Sequence, residues 1–149
     1  MNVEEILAKL VSFPVLGGDS NLSIIHWIKE YIEGFGVATT LVPNKEETKA
    51  SLHCRIGPGV DGGIILSGHT DVVPVEGQVW DTDPFTLVKK GDKLFARGSA
   101  DMKGYIACCL ATLPSLIKAN LKKPIYFDIL REINKIYEQH TDYLILPNF

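Results

Sequence analysis

Hydrophobic positions early in the chain recur every three to four residues. In VEEILAKLV, Ile6, Leu7, Leu10 and Val11 fall on one face, which predicts a short amphipathic helix ended by Phe13-Pro14 and Gly17-Gly18. A second stripe, Ile24, Ile25, Trp27, Ile28, Tyr31 and Ile32, predicts a helix that opens at Asp19 or Ser20 and closes at Gly34 and Gly36. The pattern then changes to short apolar runs between turn formers, and 37–42, 51–56 and 63–67 read as strands. The third run, GIILSG, is continuously apolar, as in a strand covered on both faces. Residues 69–84 show little periodicity, and a loop of that length inside a compact domain is more often functional than passive. Residues 85–89 and 93–95 read as a hairpin around Gly91-Asp92. Residues 102–119 read as a helix with Ile106, Leu110, Leu113 and Leu116 inward, in which Pro114 predicts a kink or an early end. Pro124 begins another apolar strand, and the whole pattern is that of an α/β protein.

Composition narrows the function classes. The chain of 149 residues is 46% hydrophobic and 22% charged, ordinary for one compact globular domain. A net charge of −3 leaves no basic footprint for nucleic acid or an anionic membrane. No apolar run approaches the roughly 20 residues of a membrane span, and MNVEEILAKL has no basic region of a signal peptide. Three cysteines, two of them adjacent, do not form a disulfide framework, so a cytoplasmic location is expected. Cys108 and Cys109 point about 100° apart in a helix and read as small core residues rather than a redox pair. Residues 128–149 contain no Gly, Ala or Val, and Ile, Asn, Lys, Tyr and Phe supply 10 of the 22. A weak helix over 131–139 is expected there.

Two short motifs carry the candidate chemistry. Gly68-His69-Thr70-Asp71 directly follows a parallel-type strand, and ligands of open α/β sheets bind at the carboxyl ends of strands. Asp71 can accept one imidazole N–H of His69, fixing the tautomer and raising the basicity of the ring as a metal ligand. A hydrogen-bonded loop histidine beside a turn aspartate explains the tetrapeptide equally well. In Arg97-Gly98-Ser99-Ala100-Asp101-Met102-Lys103-Gly104, Asp101 stands where a helix begins. It reads as an N-cap, or as a carboxylate whose two oxygens reach two cations. Lys103 reads as solvent-facing, with an anionic group at the helix start as the other reading. His26, His53 and His140 read as structural or surface residues.

Together, SGHTDVVPVEGQVWDTDPF and LFARGSADMKG resemble the dinuclear zinc peptidase and deacylase family, which includes acetylornithine deacetylases, succinyl-diaminopimelate desuccinylases and glutamate carboxypeptidases. LVSFPVLGGDSN at 10–21, LVPNKEETKASL at 41–52 and the Trp80–Phe85 stretch look most like the acetylornithine deacetylase branch. The resemblance spans about residues 4–127. It implies an α/β fold, the N-terminal part of a zinc-peptidase-like catalytic domain with a mainly parallel sheet and helices on both faces. His69 would then ligate one zinc, Asp71 orient His69 in a catalytic role, and Asp101 bridge two metals. The implied cofactor is two Zn2+, with Co2+ possible. The implied substrate is a small N-acyl amino acid, N-acetyl-ornithine giving ornithine and acetate. Other acyl-amino acids or peptides, and a non-catalytic remnant or binding module, are the competing readings.

The family places a Glu-Glu pair, general base and metal ligand, just past the strand that starts at Pro124. Ungapped counting puts Ile133 and Asn134 there, and Glu132 reads as an exposed charge, not a base. The later acidic ligand, the C-terminal histidine ligand and the lid through which family members dimerise are not found either. Residues 1–127 are therefore expected to be the N-terminal part of the catalytic domain, and 128–149 an atypical tail. The abrupt change resembles out-of-frame translation of AT-rich DNA. Weak metal binding, no turnover and marginal stability are the expectations.

Overall fold

The computed structural model describes residues 1–132. Helix α1 (Val3–Val11) is opened by a capping box, in which Asn2 Oδ1 accepts the Glu5 N–H at 2.9 Å and Glu5 Oε2 accepts the Asn2 N–H at 2.8 Å. Ile6, Leu7, Leu10 and Val11 are its buried face, as the pattern requires. Helix α2 (Leu22–Glu33) has Asn21 in its cap position, not Asp19 or Ser20. Asn21 does not cap with its side chain. Its buried amide pairs with Ala50 in both directions at 2.9 Å and donates to Thr70 Oγ1 at 3.1 Å. Ser20 Oγ accepts the Leu22 N–H at 3.3 Å.

The strands are β1 (Thr39–Pro43), β2 (Ala50–Ile56) and β3 (Ile64–His69), then the hairpin β4 (Val88–Lys90) and β5 (Lys93–Phe95). Helix α3 (Gly104–Lys118) and strand β6 (Ile125–Leu130) follow. The main sheet has the order β1-β2-β6-β3. The α/β class holds, but the strand directions are mixed, not mainly parallel: β1–β2 and β2–β6 are antiparallel, and β3–β6 is parallel. Connection length decides this for two of the pairs. The short link from β1 to β2 permits a hairpin only, whereas β3 reaches β6 through α3, the crossover that parallel pairing needs.

One core joins Ile6 and Leu10, Ile24 and Ile28, Leu52 and Phe127, and Ile106 and Leu110, all wholly buried. Burying each such side chain stabilises the fold by about 1.5–3 kcal/mol. Helix α3 continues past Pro114 to Lys118, with Leu113 buried and Leu116 packed against the core on either side of the proline. Cys109 is buried, but Cys108 is exposed and not a core residue, because the adjacent helical position faces away. Beside the core, the partly buried Trp27 of α2 stacks on Tyr31 with centroids 5.6 Å apart.

The apolar run of β3 is not covered on both faces. Ile64 is 62% and Ile65 53% exposed, because among the described residues β3 is an edge strand paired with β6 alone. Strand β6 continues beyond Phe127 through Asp128 to Leu130, and Arg131 and Glu132 after it are not helical. The rest of the helix expected over 131–139, and His140, lie outside the described residues.

Candidate functional site

Strand β3 delivers His69 at its carboxyl end, where Thr70 anchors the turn by donating its N–H to Leu130 O at 3.1 Å. Facing it, residues Ser99–Lys103 form an irregular turn before α3, with Asp101 at φ −127°, ψ 92° and a cis Asp101–Met102 peptide. Two glycines permit the close approach. Gly98 has φ +75°, and a Cβ there would lie 2.5 Å from Val72 Cγ1. A Cβ on Gly104 would lie 2.4 Å from Ser99 O.

The structure brings His69, Asp71 and Asp101 together. His69 Nδ1 donates to Asp71 Oδ1 at 2.9 Å, and His69 Nε2 lies 3.2 Å from Asp101 Oδ1. The imidazole is 4% exposed, whereas the Asp101 side chain is 79% exposed. Burial alone depresses the His69 pKa, but the hydrogen bonds and charges of Asp71 and Asp101 outweigh it and hold the pKa above its ordinary value. Asp101 is not an N-cap: α3 starts three residues later, from Lys103, without a side-chain cap bond. These residues line an open cleft of about 350 Å³, bounded also by Gly17, Val73 and Arg97.

Lys103 corrects the sequence reading. It is wholly buried, not solvent-facing, and its ammonium donates to Phe13 O at 2.6 Å. Burial pushes its pKa down to about 8, and the nearby Asp71 charge only partly offsets that. Arg97 was missed as well. Its guanidinium lies 5.0 Å from the Trp80 ring centroid and donates to Pro74 O at 3.3 Å and to Gln78 Oε1, bracing the 74–80 loop beside the cleft. Glu132 is not a free surface charge: the buried Lys49 holds its carboxylate at 2.5 Å. His53, at the middle of β2, sits 3.0 Å from the buried Asp128, and His26 is exposed on α2. Among the described residues, no group of three or more His, Cys, Asp or Glu is arranged to hold a metal ion.

The sequence profile of peptidase family M20/M25/M40 matches residues 65–130, the span from β3 through both motifs to the end of β6. The chain carries a segment of that peptidase family. It is 37% identical to the acetylornithine deacetylase of Shigella sonnei (strain Ss046) over 130 residues, 82% of this chain and 33% of that one. It is also 37% identical to the acetylornithine deacetylase of Klebsiella pneumoniae (strain 342) over 132 residues, with the same shares of each chain. Among solved structures it is similar to an M20 family metallo-carboxypeptidase from Sulfolobus solfataricus, with a TM-score of 0.79 at 21% identity over 97% of this chain and 35% of that one. Human carnosine dipeptidase 1 gives 0.72 at 20% identity, over 85% and 31%. At such identities the structural likeness speaks for the M20 fold alone. The chain spans about a third of the length of the deacetylases it matches.

Proposed function

We propose that this chain supplies one half of the metal site of an acetylornithine deacetylase-like amide hydrolase. Residues 1–127 are read as the N-terminal part of its catalytic domain. One observation carries this reading: His69 Nε2 and Asp101 Oδ1 converge to 3.2 Å, with the ring held from behind by Asp71. Two donors each about 2.0–2.1 Å from a tetrahedral zinc ion lie about 3.3 Å apart, so the pair fits one edge of such a site. His69 is the ligand, with Nδ1–H given to Asp71 so that the neutral ring offers its Nε2 lone pair. Asp101, largely exposed, has oxygens to reach two cations.

A pair of zinc or cobalt ions would supply Lewis acidity toward water and the acyl carbonyl. The reaction is hydrolysis of N-acetyl-ornithine, in which water oxygen joins the acyl carbon, the C–N bond breaks and the amine leaves protonated. In this reading His69, Asp71 and Asp101 serve that chemistry, while Glu132, tied to Lys49, is not offered to a water proton. Zinc sites in proteins ordinarily use at least three protein ligands. The chain by itself is therefore expected to bind zinc weakly and to release no ornithine.

Calorimetric titration of the 149-residue chain with Zn2+ tests the site. Weak, saturable binding that disappears in His69→Ala and Asp101→Asn supports it, and binding unchanged in both variants refutes it. Metal-dependent ornithine release by the chain alone would overturn the expectation of inactivity.

A further inference from the structure

We propose that Lys103 is a positioning residue for the metal site: clamped to the Phe13-Pro14-Val15 turn, it holds Asp101 at its spacing from His69. The inference rests on the reading that His69 and Asp101 are half of such a site.

Asp101 does not hold itself in place. Its side chain is 79% exposed, and among the described residues it bonds to His69 alone. Its position therefore depends on the backbone of Ser99–Lys103. That turn is closed locally, by Ser99 N–H to Ala96 O at 3.2 Å and Lys103 N–H to Gly98 O at 2.9 Å. Among the described residues, two of its bonds reach distant parts of the chain. One is Asp101 to His69, and the other is Lys103 Nζ to Phe13 O at 2.6 Å.

The anchor itself is stiff. Phe13 O also accepts the Val15 N–H at 2.9 Å, a tight turn with Pro14 at its centre. Such a turn wants a central φ near about −75°, and the proline ring fixes φ close to that. Val15 O in its turn accepts the Val72 N–H at 2.8 Å, and Leu16 bridges to Val72. One turn therefore holds both Val72, next to Asp71, and Lys103, just past Asp101. It sets the gap between the two loops that carry the carboxylates. Gly98 closes on the same junction, where an added Cβ would lie 2.5 Å from Val72 Cγ1 and 3.6 Å from Lys103 Cδ. Filling space does not account for the lysine. A buried ammonium carries a desolvation cost that a methionine of similar volume avoids.

The test compares the 149-residue chain with Lys103→Met and with Ile32→Ala, which opens a cavity near the end of α2. Without metal, exchange is followed at the Gly104 amide, which closes on Ser99 O. In Lys103→Met it should quicken at least about tenfold more than the amides of β2, whereas in Ile32→Ala the two should quicken together. Zinc affinity by calorimetry should fall roughly tenfold in Lys103→Met and hold in Ile32→Ala. The sign is decisive, because charge alone predicts tighter zinc binding once a nearby ammonium is gone. Pro14→Ala frees φ but keeps Lys103. It should act in the same direction, and it takes the place of Lys103→Met if that variant does not fold. Unchanged Gly104 exchange, zinc affinity unchanged or raised in Lys103→Met, or an equal loss in Ile32→Ala would overturn the proposal. A chain that binds no zinc at all refutes the metal-site reading instead, and Gly104 exchange then decides the clamp by itself.

Discussion

Asp71 serves two neighbours, accepting the His69 Nδ1–H at 2.9 Å and lying close enough to Lys103 to favour its charged form. Asp71→Asn keeps the shape and removes the charge. Zinc affinity should fall by about 10–100-fold, and the His69 titration followed by NMR should move to lower pH. The raised His69 pKa gives stability that is full below the unfolded-state value and lost as pH rises through the folded one. Protons also compete with metal for Nε2, so zinc affinity should weaken as pH falls through that same pKa. Lys103 works in the opposite sense. Its folded pKa of about 8 lies below the ordinary 10.5, so between those values the unfolded chain holds more protons and stability rises with pH. Buried Cys54, pushed up to about 11 from 9.0, opposes this by losing stability over pH 9–11. Denaturant unfolding of the unsubstituted chain and Lys103→Met at pH 7.5 and 10 should isolate the Lys103 slope as their difference. The His69, Asp71 and Asp101 grouping was legible because both motifs lie in short contiguous stretches. Lys103 was not, because its partner Phe13 is 90 residues away and nothing local marks a lysine for burial.

Helix α2 and strand β2 are joined by a side chain that local rules assign to another task. Asn21 looks like a helix cap, yet it satisfies Ala50 in both directions and reaches Thr70, the residue after His69. Asn21→Ala leaves the Ala50 N–H and C=O without these partners. It should destabilise by about 1–3 kcal/mol or more, measured by urea unfolding, and loosen the turn behind His69. Leu110→Ala, at the wholly buried centre of α3, should cost about 2–5 kcal/mol through the cavity it leaves. The helices and the β4–β5 hairpin were readable because periodicity and turn residues act over a few positions. Strand direction and the exposed half of β3 were not. An apolar run records that a strand is built to be covered, and which neighbour covers it is settled by sequence elsewhere.

At the scale of the molecule, a single core coexists with an apolar strand edge. Thermal unfolding is expected to be shallow or irreversible, and light scattering on heating should grow with protein concentration and shrink in Ile65→Lys. A sharp, reversible melt of a monomer above about 60 °C would count against this. The stacked Arg97 and Trp80 have a practical consequence. The chain has two tryptophans, Trp27 against Tyr31 on α2 and Trp80 beside the cleft. Trp27→Phe would leave one indole whose face carries a cation, so its fluorescence becomes a built-in gauge of the 74–80 loop. Emission that shifts when zinc is added would show that the loop moves with the site.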